Sequence, residues 1–427
     1  MELQELRRKI YCTAKSERTK RFWGLYCHVI KKETLIAAYV ETKKNKGAAG
    51  IDRITFDDID EYGVEQFIQE LHVELLSGEY KPQRNRKIEI PKDNGKTRTL
   101  GIPTIKDRVV QGAIKLIIEP IFESDFSKCS YGFRPKRNQH QAVVGVAKGI
   151  MRRFTKIIDV DLSAYFDNID HEILFKKIKK RINDDKLLGL IGRILKTSGE
   201  RGVPQGGVIS PLFSNIYLNS IDRMFERGIV ETKHNGYEQL AYYRFADDIV
   251  VMVNGHTALD WLVQKSLRRL KDELGKLKVS MNVEKTKVVD MDKGETFDFL
   301  GFTYRKVQGK NSEKMVLITP KKKKVQNLIN TVKHYLKENR SKKVKDIIPG
   351  LNSIVRGWVN YYRIGHSTRV FAKVRQWVEM KVRKYVRVSQ GKNGFGWKEW
   401  SKDVIYGQWG LYDDYKIRYY DLKAKPI

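Results

Sequence analysis

Hydrophobic positions along the chain follow two periods, and the places where the period changes divide it into elements. Near the start, Leu6, Ile10, Leu25, Val29, Leu35 and Ile36 recur at roughly helical spacing among many basic residues, so residues 1 to 40 read as a basic helical extension. Gly47 and Gly50 in KNKGAAGIDRIT break any helix and predict an ordered turn or loop. A helix is expected from about Gly63 to Ser77, ended by Gly78. Residues 86 to 102, RKIEIPKDNGKTRTLGI, read as two strands around the turn Asp93-Asn94-Gly95, a hairpin with basic side chains flanking the turn. Val109, Val110, Ala113, Ile114, Ile117 and Ile118 then share one face of an amphipathic helix from Ile105 to Phe122, ended by Pro120 and its neighbours.

Further on, KIIDVDL (156 to 162) is a short strand with acidic residues at its exit, and IVVMV (249 to 253) is another that begins immediately after Asp248. Helices are expected between them, from about His171 to Lys196 and from about Ser210 to Arg227. Acidic strand ends separated by helices describe an α+β fold, a sheet with helices on one face that brings distant carboxylates together. After residue 320 the pattern is helical again. Leu328, Val332, Tyr335 and Leu336, then Ile354, Trp358, Tyr361 and Tyr362, then Val370, Val374, Trp377, Val378 and Val382 predict a small three-helix bundle. The last stretch is rich in Trp and Tyr, and no fixed-period repeat runs through the chain.

Length and charge sharpen this picture. At 427 residues the chain exceeds what one hydrophobic core supports, so several lobes are expected. Lys and Arg number 83 against 51 acidic residues, a net charge of +32. That far exceeds what solubility requires and points to a polyanion, nucleic acid in preference to an anionic membrane surface. Residues 321 to 390 are the most basic part, with 19 Lys and Arg against 3 Asp and Glu. No run approaches the roughly 18 apolar residues of a membrane span, and MELQELRRKIYCTAK lacks a signal-peptide core, which predicts an intracellular, cytoplasmic protein with no membrane partner. Three widely spaced cysteines, Cys12, Cys27 and Cys129, fit a reducing compartment.

The candidate chemistry lies in the aspartates at the strand ends. Asp161 stands in DVDLSAYFD and the pair Asp247-Asp248 in YRFADDIVVMV. Adjacent carboxylates repel, and placing them beside a wholly apolar strand is costly unless a cation lies between them. Phosphoryl transfer to a 3′-hydroxyl uses two divalent ions, and three carboxylates from two strand ends supply their anchors. Mg²⁺ is the natural ion, with Mn²⁺ as a substitute, because it prefers oxygen ligands and a site completed by phosphates and water.

A series of ordered blocks now resembles a family, the reverse transcriptases encoded by group II introns. The blocks are GAAGID (47 to 52), EIPKDNGKTRTLGIPTIKDRVVQ (89 to 111), SYGFRP (130 to 135), DVDLSAYFDNIDH (159 to 171), GVPQGGVISPLFSNIYLN (202 to 219), RFADD (244 to 248), NVEKTKVV (282 to 289) and FDFLGF (297 to 302). The resemblance implies a right-hand polymerase. A basic helical extension over 1–44 would precede fingers over 45–155, a palm with an antiparallel sheet over 156–310, and an α-helical thumb and maturase region over 311–427. It implies RNA-directed DNA polymerisation with an RNA template, a DNA or RNA primer and deoxynucleoside triphosphates, and binding of group II intron RNA in splicing and mobility.

Residue by residue, the resemblance makes Asp161, Asp247 and Asp248 the metal-binding catalytic carboxylates, with the Leu162 carbonyl as an extra ligand; Asp159 and Asp167 are the competing carboxylates. Phe245-Ala246 precedes the aspartate pair where the family usually has Tyr-Ala, which loses a hydroxyl and keeps the ring. Lys92 and Arg98, either side of the hairpin turn, resemble a triphosphate clamp. Gln205 and Gly206 occupy a turn whose backbone approaches the incoming nucleotide and template. Phe166 resembles the bulky side chain that rejects a ribose 2′-hydroxyl, with Tyr165 as the alternative ring. Lys285 or Lys287 corresponds to the lysine that protonates pyrophosphate. In the basic helices, Arg363, Arg369, Lys373 and Arg375 are the candidate RNA contacts.

Departures from the fullest pattern narrow the expectation. Many intron-encoded relatives continue into a DNA-binding segment and a zinc nuclease, whereas this sequence has no cysteine after Cys129, so strand cleavage is not expected. Two alternatives stand beside the leading reading. One is a host-recruited polymerase relative, as in antiviral defence; the other is an RNA-binding maturase without polymerase activity, against which the three intact aspartates argue.

Overall fold

The structure, a computed structural model, describes residues 2–91, 97–308 and 314–418. Helices α1 (Leu3–Ser16), α2 (Tyr26–Val29), α3 (Lys32–Lys43), α4 (Phe56–Tyr62) and α5 (Val64–Ser77) come first. The helical start is thus interrupted, with residues 17–25 carrying most of the break. A capping box begins α4: Thr55 Oγ1 accepts from the Asp58 amide at 3.2 Å and Asp58 Oδ2 accepts from the Thr55 amide at 2.7 Å. Left-handed Gly78, φ 83°, ends α5 where its sequence predicts.

Strands β1 (Arg86–Pro91) and β2 (Thr97–Ile102) pair antiparallel from Arg86 opposite Ile102 to Pro91 opposite Thr97. The turn at 93–95 lies outside the described residues. Next, α6 (Ile105–Glu123) starts at Thr104, whose hydroxyl accepts from the Asp107 amide at 3.0 Å. It runs through Pro120 and ends at Glu123, one residue past the expected Phe122. Proline removes one helix hydrogen bond, yet Ile117, Ile118, Ile121 and Phe122 around it are all buried, and their packing outweighs that loss.

The middle of the chain contains α7 (Gln139–Met151), β3 (Lys156–Val160), α8 (His171–Lys179), α9 (Asp185–Lys196), α10 (Ser210–Glu231), β4 (Leu240–Phe245), β5 (Asp248–Val253), α11 (Asp260–Lys276) and β6 (Lys287–Asp290). Asp170 and Asp184 cap α8 and α9 by accepting from the amides of Ile173 at 3.1 Å and Leu187 at 3.0 Å. A four-stranded sheet has the order β4-β5-β3-β6. The rest comprises β7 (Thr296–Phe299), β8 (Phe302–Gln308) and β9 (Lys314–Pro320), which form an antiparallel three-stranded sheet, then α12 (Lys322–Glu338), α13 (Val344–Tyr362) and α14 (Thr368–Ser389). This sheet was not foreseen: its strands are short, and alternation in TFDF and KMVLITP is brief.

The chain divides into two compact units, each discontinuous in sequence: Met1–Asn138, Val160–Val251 and Asp260–Lys287 in one, Gln139–Asp159, Met252–Leu259 and Val288–Ile427 in the other. In the first, α6 is the buried centre. Arg7 of α1 donates to the Leu116 carbonyl at 3.0 Å and pairs with Glu119 at 3.2 Å, and Arg181 donates to the Ala14 carbonyl at 3.0 Å. The N-terminal helix is therefore packed against α6.

In the second unit, Tyr304 of β8 is buried and donates to the Val143 carbonyl of α7 at 3.1 Å. Tyr335 of α12 donates to the Ile347 carbonyl at 3.0 Å, and Gly350 makes room for that ring, since a Cβ there would lie 2.2 Å from the hydroxyl. Trp358 packs on Tyr362, ring centroids 4.7 Å apart. The aromatic C-terminal stretch folds onto α14: Arg383 donates to the Trp400 carbonyl at 2.9 Å and lies 4.3 Å from the Trp397 ring centroid.

Candidate active site

Strand β5 explains why two acids sit where they do. Ile249 to Val253 are wholly buried, so the strand can carry charge only at its end, and Asp248 there is exposed. Asp247 lies half-buried in the two-residue connection from β4, preceded by Ala246 in left-handed backbone, φ 56°. Asp161 directly follows β3, the neighbour of β5 in the sheet. Asp247 also acts on Tyr165, four residues past Asp161. Burial pushes the Tyr165 hydroxyl well up; the Ser214 side chain and the Arg244 charge pull it back, and Asp247 pushes it up further.

Around Asp161 the NVEKTK segment runs alongside. Asn282 donates its amide to the Asp161 carbonyl at 2.8 Å, Ser163 donates to the Ser280 carbonyl at 2.9 Å, and Leu162 bridges antiparallel to Met281. This places Lys285 Nζ 3.3 Å from Asp161 Oδ2, while Lys287 is an exposed residue opening β6. Of the two candidate lysines, the structure brings Lys285 to the carboxylate. Asp167, one competing carboxylate, is exposed and accepts from Gln205 Nε2 at 3.2 Å. Asp159 lies two residues before Asp161 within β3, on the same strand face.

The donors suit a hard divalent cation. They are carboxylate oxygens, and a lysine ammonium stands at one of them, so the site attracts positive charge. His171, the histidine nearest Asp161 along the chain, is hydrogen-bonded to the Gly202 carbonyl at 2.6 Å. Among the described residues, no three His, Cys, Asp or Glu side chains are grouped so that they could hold a metal ion.

The Pro204-Gln205-Gly206-Gly207 turn has a structural duty. A Cβ on Gly206 would meet the Gly101 carbonyl oxygen at 2.5 Å, and one on Gly101 would meet Pro204 Cβ at 3.4 Å. The turn is thus seated against β2, the strand that carries Arg98 opposite Ile90. Lys92 lies outside the described residues. On its other side the turn's approach follows residues 166–169: Val203 donates to the Phe166 carbonyl at 2.9 Å and Gly202 to the Ile169 carbonyl at 2.8 Å. Tyr165 is buried with its hydroxyl on Ser214, whereas Phe166 is half-buried, ring centroids 5.3 Å from Tyr165.

The four candidate RNA contacts divide. Arg363 is 7% exposed and donates to the Asp414 carbonyl at 2.8 Å, to Asp414 Oδ2 at 3.1 Å and to the Tyr412 hydroxyl at 3.2 Å. Arg375 pairs with Asp413 at 2.5 Å and lies 5.0 Å from the Tyr406 ring centroid. Arg363 is buried against the C-terminal stretch, a correction to its expected role, because folding brings the acids and rings of that stretch onto it, whereas Arg375 pairs there with its side chain still 39% exposed. Arg369 and Lys373 are exposed. Sequence reasoning missed Arg244 and Gly132. A Cβ on Gly132 would lie 2.3 Å from the Ala246 amide nitrogen. The signal for Arg244 was the strict alternation of LAYYRF, which places Leu240, Tyr242 and Arg244 on one buried face.

Residues 90–304 match the family described as reverse transcriptase (RNA-dependent DNA polymerase), and residues 325–402 match the group II intron maturase-specific domain. Protein YkfC of Escherichia coli is 34% identical over 366 residues, covering 77% of this chain and 94% of that protein. The group II intron-encoded protein LtrA of Lactococcus lactis is 37% identical over 217 residues, 47% of this chain and 35% of LtrA. A putative COX1/OXI3 intron 2 protein of Saccharomyces cerevisiae is 23% identical over 84% of this chain and 47% of its own length.

Proposed function

The chain belongs to the reverse transcriptase and group II intron maturase family, as an RNA-directed DNA polymerase, and we propose that Asp161, Asp247 and Asp248 are its catalytic carboxylates. The observation that carries this is the sheet order, in which β3, followed by Asp161, neighbours β5, which Asp248 opens directly after Asp247, with Lys285 facing Asp161. With Asp161, Asp247, Asp248 and the Leu162 carbonyl as holders, two Mg²⁺ ions would activate the primer 3′-hydroxyl and neutralise the departing pyrophosphate. The protein's own part is positioning. Lys285, already at Asp161, is placed to give a proton to pyrophosphate. Phe166 stands beside the sugar and excludes a 2′-hydroxyl, since Tyr165 is committed to the core. Gln205 orients the nucleotide, Gly206 lets the turn approach β2 closely, and Lys92 and Arg98 form the triphosphate clamp.

In this reading residues 45–155 are fingers, 156–310 the palm and 311–427 the thumb and maturase region, with 1–44 a helical extension. The template is RNA with an annealed primer, the substrates are deoxynucleoside triphosphates, and the basic helices α12 to α14 hold group II intron RNA to assist splicing and mobility. Arg369 and Lys373, both exposed, and the partly exposed Arg375 are the RNA contacts in this reading. The test is primer extension by the Asp247→Ala/Asp248→Ala double variant. Extension is expected to vanish while RNA binding persists; normal extension by the folded variant would defeat the assignment.

A further inference from the structure

We infer that Arg244 is a positioning residue for Asp247 and Asp248, acting through the carbonyl of Ala246; this rests on reading those aspartates as the metal-holding pair. Arg244 is fully buried at the end of β4. Its Nε and Nη2 donate to the two oxygens of Asp222 at 2.7 and 2.5 Å, and its Nη1 donates to Asn215 Oδ1 and to the Ala246 carbonyl, both at 2.9 Å. Tyr242 adds a hydrogen bond to Asp222 at 2.7 Å. A well-packed apolar side chain fills such a place at less desolvation cost than a buried ion pair. What it cannot do is hold the Ala246 carbonyl.

Ala246 needs holding because it lies in left-handed backbone, which a residue with a Cβ disfavours, and the next residue is Asp247. The opposite side of the turn is closed by residues 129–132. Arg244 donates its amide to the Cys129 carbonyl at 2.9 Å, Tyr131 donates to the Arg244 carbonyl at 2.8 Å, and Gly132 presses on the Ala246 amide. Asn215 joins the two sides, accepting from Arg244 and donating Nδ2 to the Gly132 carbonyl at 2.9 Å. The turn that aims the aspartates is clamped between a guanidinium fork from within and a glycine from without. Lysine at position 244 would keep a charge for Asp222 and lose the planar fork.

The test is Arg244→Lys with Mn²⁺ binding read by electron paramagnetic resonance, without nucleic acid. Loss of an outer partner is expected to weaken Mn²⁺ binding about tenfold and to slow single-turnover nucleotide addition similarly, with the KM for primer-template unchanged. Arg181→Lys, which removes a buried arginine of the same unit that touches none of this network, is the control and should bind Mn²⁺ normally. Wild-type Mn²⁺ binding by Arg244→Lys, or equal loss in the control, overturns the inference. Should Arg244→Lys not fold, Asn215→Ser keeps the Arg244–Asp222 pair and should weaken Mn²⁺ binding about threefold; no change there overturns it too. An Asp247→Ala/Asp248→Ala protein that still extends primers defeats the underlying reading, whereas an inactive one beside a normal Arg244→Lys defeats this inference alone.

Discussion

Strand β4 and helices α13 and α14 both carry arginine among apolar neighbours. In β4, Arg244 bonds Asp222, Asn215 and the Ala246 carbonyl within the same unit, and that carbonyl is one residue from Asp247, a proposed catalytic acid. In the helices, buried Arg363 and Arg383 hold the aromatic and acidic C-terminal stretch, and the exposed cations are others, such as Arg369, Lys373 and Lys384. The contrast teaches that a buried arginine marks what the fold must keep still. In one region that is the turn proposed to be catalytic; in the other it is a covering segment. RNA affinity should therefore follow the exposed cations and not the total charge.

The largest effect should come from the catalytic side. Gly132→Ala drives a Cβ into the Ala246 amide, and an ångström of displacement at the aspartates is worth about a hundredfold in rate. Single-turnover extension should fall by that order while RNA binding stays within error; equal loss of both would mean global disruption and dissolve the comparison. Phe166→Ala should raise ribonucleotide over deoxynucleotide incorporation by about tenfold, of the order set by one lost bulky contact. Competition assays showing unchanged selectivity there, with a change in Tyr165→Ala, would exchange the two rings.

On the helical side, Arg363→Ala should cost roughly 1–3 kcal/mol of stability, since it leaves Asp414 half-exposed and able to regain water. Thermal melting would check this. Arg369→Ala with Lys373→Ala should hardly move the melting temperature, yet flatten the salt dependence of RNA affinity by about 0.7 to 0.9 per lost phosphate contact. Reversed outcomes for the two sets of substitutions would overturn the division of labour.

The smallest effect concerns Lys177, which donates to the Tyr217 carbonyl and to Ser220 Oγ at 3.0 Å, and whose burial lowers it to about 8. Below about pH 8 it is charged whether folded or unfolded, and its full burial penalty applies. Between about 8 and the ordinary lysine value of 10.5 the folded protein releases the proton first, so this group's contribution to stability rises with pH. Wild type should accordingly gain on Lys177→Met as pH increases from 7 to 10 in denaturant titrations; a constant difference would contradict the shift.

Much of this was legible in the residues. The hairpin of β1 and β2, the strand KIIDV, the apolar strand after Asp248 and the three late helices each carry a period strong enough to name the element, and ordered blocks named the family. Those signals are local, because periodicity and turn chemistry depend on near neighbours in sequence. What the sequence could not decide was partnership across distance. Pro120 signals a nearby helix end, and only the packing of the buried isoleucines around it shows why the helix passes through it to Glu123. Arg363 and Arg369 look alike in GWVNYYRIGHSTR, but only folding brings Asp414 to one and leaves the other exposed. Gly206 reads as a flexible turn residue, and only the tertiary structure places the Gly101 carbonyl where its Cβ would be. Which of two similar side chains meets a partner depends on segments tens of residues away, and that choice is made by packing, where space and charge are satisfied together.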